Sequence, residues 1–319
     1  MVAVQLVIGI LAFAIFANGS PTPSLPEEDP FLSNITQLSA PGEFDVQITR
    51  SYSQRPIDPM ATEFLALFLA ANIAKFDLDH EINCLKINPP SQFSITLSVW
   101  GPSFNPADST VKVRYVLAGL PRALYIIARG DIWTEFAVTL TLDGATVGHM
   151  LFEARPTTNT NDTRAGDHSL QSPAAEENPN PKPVNSIQPP NDRLNVRVRP
   201  LPNAAPLTRD GIFLALILAV VTVAIMPTFT PSLPIDCPWP FFGTRVTISP
   251  PGGVARRTPP FNSRIDSMDT LLQIGITVVA AAAAVGEVGL REQRARAFVD
   301  GTETSWTELR KMEEPPPAG

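Results

Sequence analysis

The sequence predicts an α+β protein built from two tandem, pseudo-symmetric β-α-β-α-β-β repeats. Each repeat is expected to form a mixed four-stranded sheet with two helices on one face. Three observations predict this. The first is self-similarity. Phe44-Asp45-Val46-Gln47-Ile48 is echoed by Leu194-Asn195-Val196-Arg197-Val198, and Phe64-Leu65-Ala66-Leu67 by Phe213-Leu214-Ala215-Leu216. Phe93-Ser94-Ile95-Thr96-Leu97 is echoed by the stretch that begins at Phe242, and the three offsets are 150, 149 and 149. Similarity at a fixed period marks a repeated unit. The second observation is periodicity, which switches between two and 3.6 in the same order in both halves. The third is a pair of Asp-Gly turns, Asp143-Gly144 and Asp300-Gly301, each at the end of an alternating run. An Asp-Gly pair there marks a hairpin, because a type I′ turn needs positive φ.

Taken in order, Phe44, Val46 and Ile48 alternate with polar residues as a strand. Pro59 suits the first turn of a helix, and Met60 to Phe76 carries apolar residues at helical spacing. Phe93, Ile95, Leu97 and Val99 alternate as the second strand. Because a helix joins them, these two strands are expected to be parallel. A second helix covers parts of Thr110 to Arg129, where Pro121 implies a kink or a late start. Phe136 to Leu142 then enters the first hairpin, which returns through Val147 and Leu151. The second repeat gives strand Leu194–Val198, helix Gly211–Met226, strand Thr244–Ser249, helix Met268–Val285, and a hairpin from Glu292 to Trp306. Gly211–Met226 is apolar on all sides but short of the ~20 residues of a membrane span, so a helix buried on all sides is expected. The Ala-rich run Val278 to Val285 points the same way.

The boundaries follow from composition. Residues 1–19 read as a signal peptide: an apolar run, then the small-x-small site Ala17-Asn18-Gly19. Residues 20–40 form a Pro/Ser/Glu-rich arm, 41–154 the first repeat, 155–190 a Pro-rich linker expected to be disordered, 191–312 the second repeat, and 313–319 a disordered tail. Proline accounts for 34 of 319 residues, about twice the usual ~5%. The net charge of −7 argues against a nucleic-acid partner. The first repeat holds 12 acidic and 8 basic residues and the second 10 and 13, opposite signs that favour docking of the two.

An export signal gives context to other features. Asn34-Ile35-Thr36 and Asn161-Asp162-Thr163 are acceptor sequons, which makes Asn34 and Asn161 candidate glycosylation sites. Two cysteines, Cys84 and Cys237, each precede the second strand of a repeat, and a disulfide between them is expected. Asp77, Asp79, His80 and Glu81 cluster without the spacing of a calcium loop, so a solvated helix exit is expected. Arg129-Gly130-Asp131 spells an adhesion tripeptide, but Gly130 fits a helix C-cap. Arg291, Arg294 and Arg296 could contact an anion, yet their spacing does not put all three on one strand face. There is no nucleophile elbow, zinc helix or phosphate loop. No catalytic, metal-binding or cofactor-binding residue is therefore assigned, and no cofactor is expected.

The run Thr139-Leu140-Thr141-Leu142-Asp143-Gly144-Ala145-Thr146-Val147-Gly148 resembles functionally uncharacterised secreted fungal proteins with a duplicated α+β domain. The resemblance covers the second helix and hairpin of each repeat; Val147-Gly148 has no counterpart after Gly301. It implies no activity and carries over no site residue. The expected function is that of a secreted, non-catalytic binding or interaction protein with an unknown extracellular partner or ligand. Two alternatives stay open. One is an extracellular hydrolase whose acidic residues converge between the repeats. The other is a membrane-associated protein held by an uncleaved first segment, although a membrane partner is not expected.

Overall fold

The computed structural model describes residues 42–51, 53–87, 94–103, 109–155, 193–225, 235–239, 243–249, 263–286 and 289–312. The expected signal peptide, arm, terminal tail, the linker beyond Arg155, Asn34 and Asn161 lie outside the described residues.

The first half begins with β1 (Phe44–Arg50), whose alternation buries Phe44, Val46 and Ile48. Helix α1 (Pro59–Ile73) follows, with Pro59 in its first turn and Asp58 as N-cap. The Asp58 carboxylate accepts from Ala61 N at 2.7 Å, a contact worth about 1 kcal/mol. Short strands β2 (Glu81–Ile82) and β3 (Leu85–Ile87) lead to β4 (Ile95–Trp100). Then come β5 (Val111–Lys112), helix α2 (Val113–Arg129), β6 (Phe136–Leu142) and β7 (Ala145–Ala154). The second half runs β8 (Leu194–Pro200), α3 (Arg209–Ile225), β9 (Ile235–Trp239), β10 (Thr244–Ser249), α4 (Ser263–Val285), β11 (Gln293–Val299) and β12 (Thr302–Lys311).

The protein is thus α+β, with two five-stranded sheets ordered β1-β6-β7-β4-β3 and β8-β11-β12-β10-β9, and a two-stranded β2-β5 pair. Every strand pairing in the two large sheets is antiparallel. This corrects the expected mixed four-stranded sheets. The crossover from β1 through α1 does not lead to a neighbour of β1. The hairpin β6–β7 occupies the space between β1 and β4, so the parallel-neighbour rule does not apply. The fifth strand escaped notice for local reasons. β3 has three residues, and β9 contains Pro238, which only an edge strand tolerates.

Both hairpins turn as expected. Asp143 and Gly144 have φ of 50° and 77°, and Asp300 and Gly301 have 49° and 78°. Two successive positive φ values are the type I′ geometry that matches strand twist.

Helices pack on the inner sheet faces and on one another: α2 on β1, β6 and β7, α1 on β4, α3 on β9 and β10, α4 on β8, β11 and β12. Helix α1 also meets α3 and α4. At Gly275 of α4 an added Cβ would lie 2.4 Å from Cδ2 of Leu67 of α1, so the two helices pack closely there and a larger residue would have to displace the tip of that side chain. Buried residues of both sheets and all four helices form one continuous cluster. Helix α3 sits inside it, with Gly211 to Val221 fully covered, as an all-round apolar helix requires. The expected burial of Val278 to Val285 holds only in part. Val278 is buried, whereas Ala280, Ala283 and Ala284 are exposed and Val285 is 65% exposed.

Candidate functional site

Two clusters of polar side chains stand out, one inside the protein and one on its surface. The inner cluster lies where the first turns of α1 and α3 meet. Glu63 of α1 has no exposed surface. Arg209 at the start of α3 places Nε 3.1 Å from Glu63 Oε2 and also pairs with Asp210 at 2.6 Å. Its guanidinium lies over the Trp133 ring, 5.1 Å from the centroid. Neither Glu63 oxygen accepts a hydrogen bond among the described residues. Burial, then the Asp210 charge, push the Glu63 carboxyl well above its usual range, against the opposing pull of Arg209. Glu63 and Asp210 thus bring an acid from each half to the same place. The carboxyl is sealed, however, and a general acid must come within hydrogen-bond reach of its substrate. The cluster joins the halves instead. Lys75 pairs with Asp269 at 2.6 Å, and Arg264 Nη2 donates to Ala74 O and Phe76 O at 2.8 Å each, so further polar contacts cross the same boundary.

The surface cluster is the outer face of the second sheet. Positions 197 and 199 of β8, 294 and 296 of β11, 310 of β12 and 245 of β10 are all arginine and all alternate with inward residues. Register sets Arg199 opposite Arg294, Arg197 opposite Arg296, and Arg245 opposite Arg310. Arg197 stacks on Phe298 at 4.8 Å, and Arg294 and Arg296 stack on Trp306 at 4.8 and 5.1 Å. Glu308 pairs with Arg294 and Arg310, Glu303 with Arg296 at 3.6 Å, and Asp236 with Arg245 at 3.3 Å. Among the described residues no carboxylate pairs with Arg197 or Arg199. Sequence reasoning saw Arg294 and Arg296 but not this face. Strand β8 is distant in sequence and becomes a neighbour only through pairing with β11. Arg291, grouped with them by sequence, instead donates to Ala204 O at 3.2 Å.

Other candidates resolve locally. The expected Cys84–Cys237 disulfide is absent, and both are free thiols. Cys84 is exposed between β2 and β3 of the first half. Cys237 is buried in β9, where its thiol reaches Thr222 of α3 at 3.5 Å. Similar sequence position puts the two on edges of different sheets rather than beside one another. Burial pushes the Cys237 thiol up to about 11, which leaves it protonated and inert. In the 77–81 cluster, Asp79 pairs with Lys112 at 3.4 Å and Arg114 at 2.5 Å, and Glu81 accepts from Thr110 at 2.9 Å. No group of metal-ligating side chains occurs among the described residues. Gly130 caps α2 as expected. His149 is buried against Trp100, ring centroids 5.4 Å apart, and burial lowers its pKa.

By length and composition α4, over Arg264–Val285, suffices to cross a membrane; 44% of the qualifying stretch is buried in the protein. No family model matches the sequence. No curated protein matches it. Among solved structures, a Mycobacterium avium subs paratuberculosis tesB protein aligns over 90% of this chain and 100% of its own at 11% identity, with a TM-score of 0.14. A likeness of that size carries no argument about fold or function.

Proposed function

We propose that this chain is a secreted, non-catalytic binding protein built from two copies of one α+β unit, and that it holds an anionic partner on the outer face of its second sheet. The two-copy reading is supported by backbone contacts that recur between the halves, with offsets of 150 before the hairpin region and of 157, the spacing of Asp143 and Asp300, within it. Ile57 N donates to Trp133 O, and Leu207 N donates to Leu290 O. Glu135 N donates to Arg55 O, and Glu292 N donates to Ala205 O. Glu135 accepts from Ala154 N at 2.9 Å, and Glu292 accepts from Lys311 N at 2.8 Å. The orders of the two five-stranded sheets also correspond strand for strand.

One observation carries the binding reading: three arginine pairs face each other directly across strands on one exposed surface. Like charges placed directly opposite destabilise a sheet. The equivalent face of the first sheet manages without them. There β1 presents Asp45, Gln47 and Thr49 opposite Thr141, Thr139 and Ala137. The arginines are therefore not needed to build the sheet, and an anion that bridges them would relieve the repulsion. The six arginines outnumber Asp236, Glu303 and Glu308, so the face is positive in a chain of net charge −7.

The test is retention of the purified protein on immobilised polyanions: polyphosphate, polyglutamate and heparin. Binding to at least one of them, released as salt rises through the physiological range, is expected. Failure to bind any, at low salt, would overturn the reading.

A further inference from the structure

The geometry points to a sulfated polysaccharide as the partner of this face, an inference that rests on its being the binding surface. Arg197, Arg199, Arg294 and Arg296 form a two-by-two grid. Neighbouring strands lie about 4.8 Å apart and same-face residues about 6.7 Å apart along a strand. An extended chain with charged groups every few ångströms can meet several corners at once.

Three of the four guanidiniums are stacked on aromatic rings, Arg197 on Phe298 and both Arg294 and Arg296 on Trp306. Stacking fixes the plane of each fork; the N–H edges of Arg294 and Arg296 also meet Glu308 and Glu303, whereas Arg197 has no carboxylate partner among the described residues and keeps its edge for a ligand. A planar fork matches two oxygens of one tetrahedral or planar anion. Sulfate offers those oxygens and stays ionised at any biological pH.

Other polyanions fit the same face less well. Single-stranded nucleic acid is held by bases stacked on aromatic rings, and here arginines lie over the rings of Trp306 and Phe298. An acidic peptide that adds to a sheet would pair along the outer edge of β8, which leaves Arg294 and Arg296 out of its reach as a strand partner, because β11 is paired on both sides, by β8 and β12. An anionic membrane surface is engaged through apolar side chains beside the cations. Among the described residues the exposed large apolar side chains are Phe76, Ile276 and Val285, none of them on this face.

The experiment measures binding of the full chain to heparin and to four competitors, each supplied at the same total concentration of anionic groups: desulfated heparin that keeps its carboxylates, single-stranded RNA, polyglutamate, and phosphatidylserine vesicles. Heparin should bind at least about tenfold more tightly than each of them, and Arg197→Gln/Arg199→Gln should weaken heparin binding by at least about tenfold. These two arginines are exposed and have no acidic partner among the described residues, so the variant should fold, and its circular dichroism and melting curve check that. Arg197→Lys/Arg199→Lys keeps the charge but not the fork and should lie between. The control Lys86→Gln/Lys112→Gln removes the same charge elsewhere and should change binding less than about twofold. Any competitor equal to heparin, or an Arg197→Gln/Arg199→Gln variant no weaker than the control, would overturn the sulfated-glycan assignment. If the protein binds a different polyanion, only this inference fails. If it binds none, the proposed function fails with it.

Discussion

Leu216→Asp should abolish soluble expression. Leu216 lies in the middle of α3 and has no exposed surface. The helix touches α1, α2, α4, β9 and β10, so no side of it faces water where a carboxylate could turn. An unpaired charge there costs several kcal/mol, comparable to the ~5–15 kcal/mol that holds a domain together. Leu216→Met keeps the volume and should cost less than about 1.5 kcal/mol. Soluble yield and thermal melting of the two variants check this. An Asp variant as stable as the parent would place α3 at the periphery.

Glu63→Gln should raise stability at neutral pH and flatten its pH dependence. Glu63 has a folded-state pKa raised above the unfolded 4.5, chiefly by burial and then by Asp210. The folded state therefore holds the proton more tightly. Glu63's contribution to stability is fully present below about pH 4.5 and is lost as pH rises toward the folded pKa. Within that window each pH unit costs about 1.4 kcal/mol. Glutamine cannot ionise, so the difference between parent and variant should be near zero at pH 4 and grow as pH rises toward neutrality. The groups facing Glu63 are Arg209 and Asp210 from α3, with Trp133 beneath the guanidinium. Denaturant melts at several pH values measure the difference. A constant difference across pH would show that Glu63 does not carry the proton.

Local signals in the sequence reached as far as elements and turns. The alternation of Phe44, Val46 and Ile48, the Pro59 start of α1, the all-round apolar α3 and both Asp-Gly turns appear in the structure within a few residues of expectation. Strand adjacency was not legible, because nothing within β1 or β4 records that a hairpin later enters between them. The candidate sites failed to show for the same reason. The outer arginine face exists only once β8 pairs with β11, and Glu63 meets Arg209 only once α1 packs on α3. Each joins residues more than 90 positions apart in the chain. The cysteines misled in the opposite direction. Matching places in two similar segments suggested a meeting that the packing does not make.

The two halves share one core and present their sheets outward. Co-expression of residues 41–154 and 191–312 as separate chains tests this most directly. The buried faces of α1 and α3 cover one another, so each half alone exposes a large apolar surface and should aggregate. Expressed together, the two should co-elute in gel filtration as a one-to-one complex that melts cooperatively. Two halves that are each soluble, folded and monomeric, with no complex between them, would contradict it.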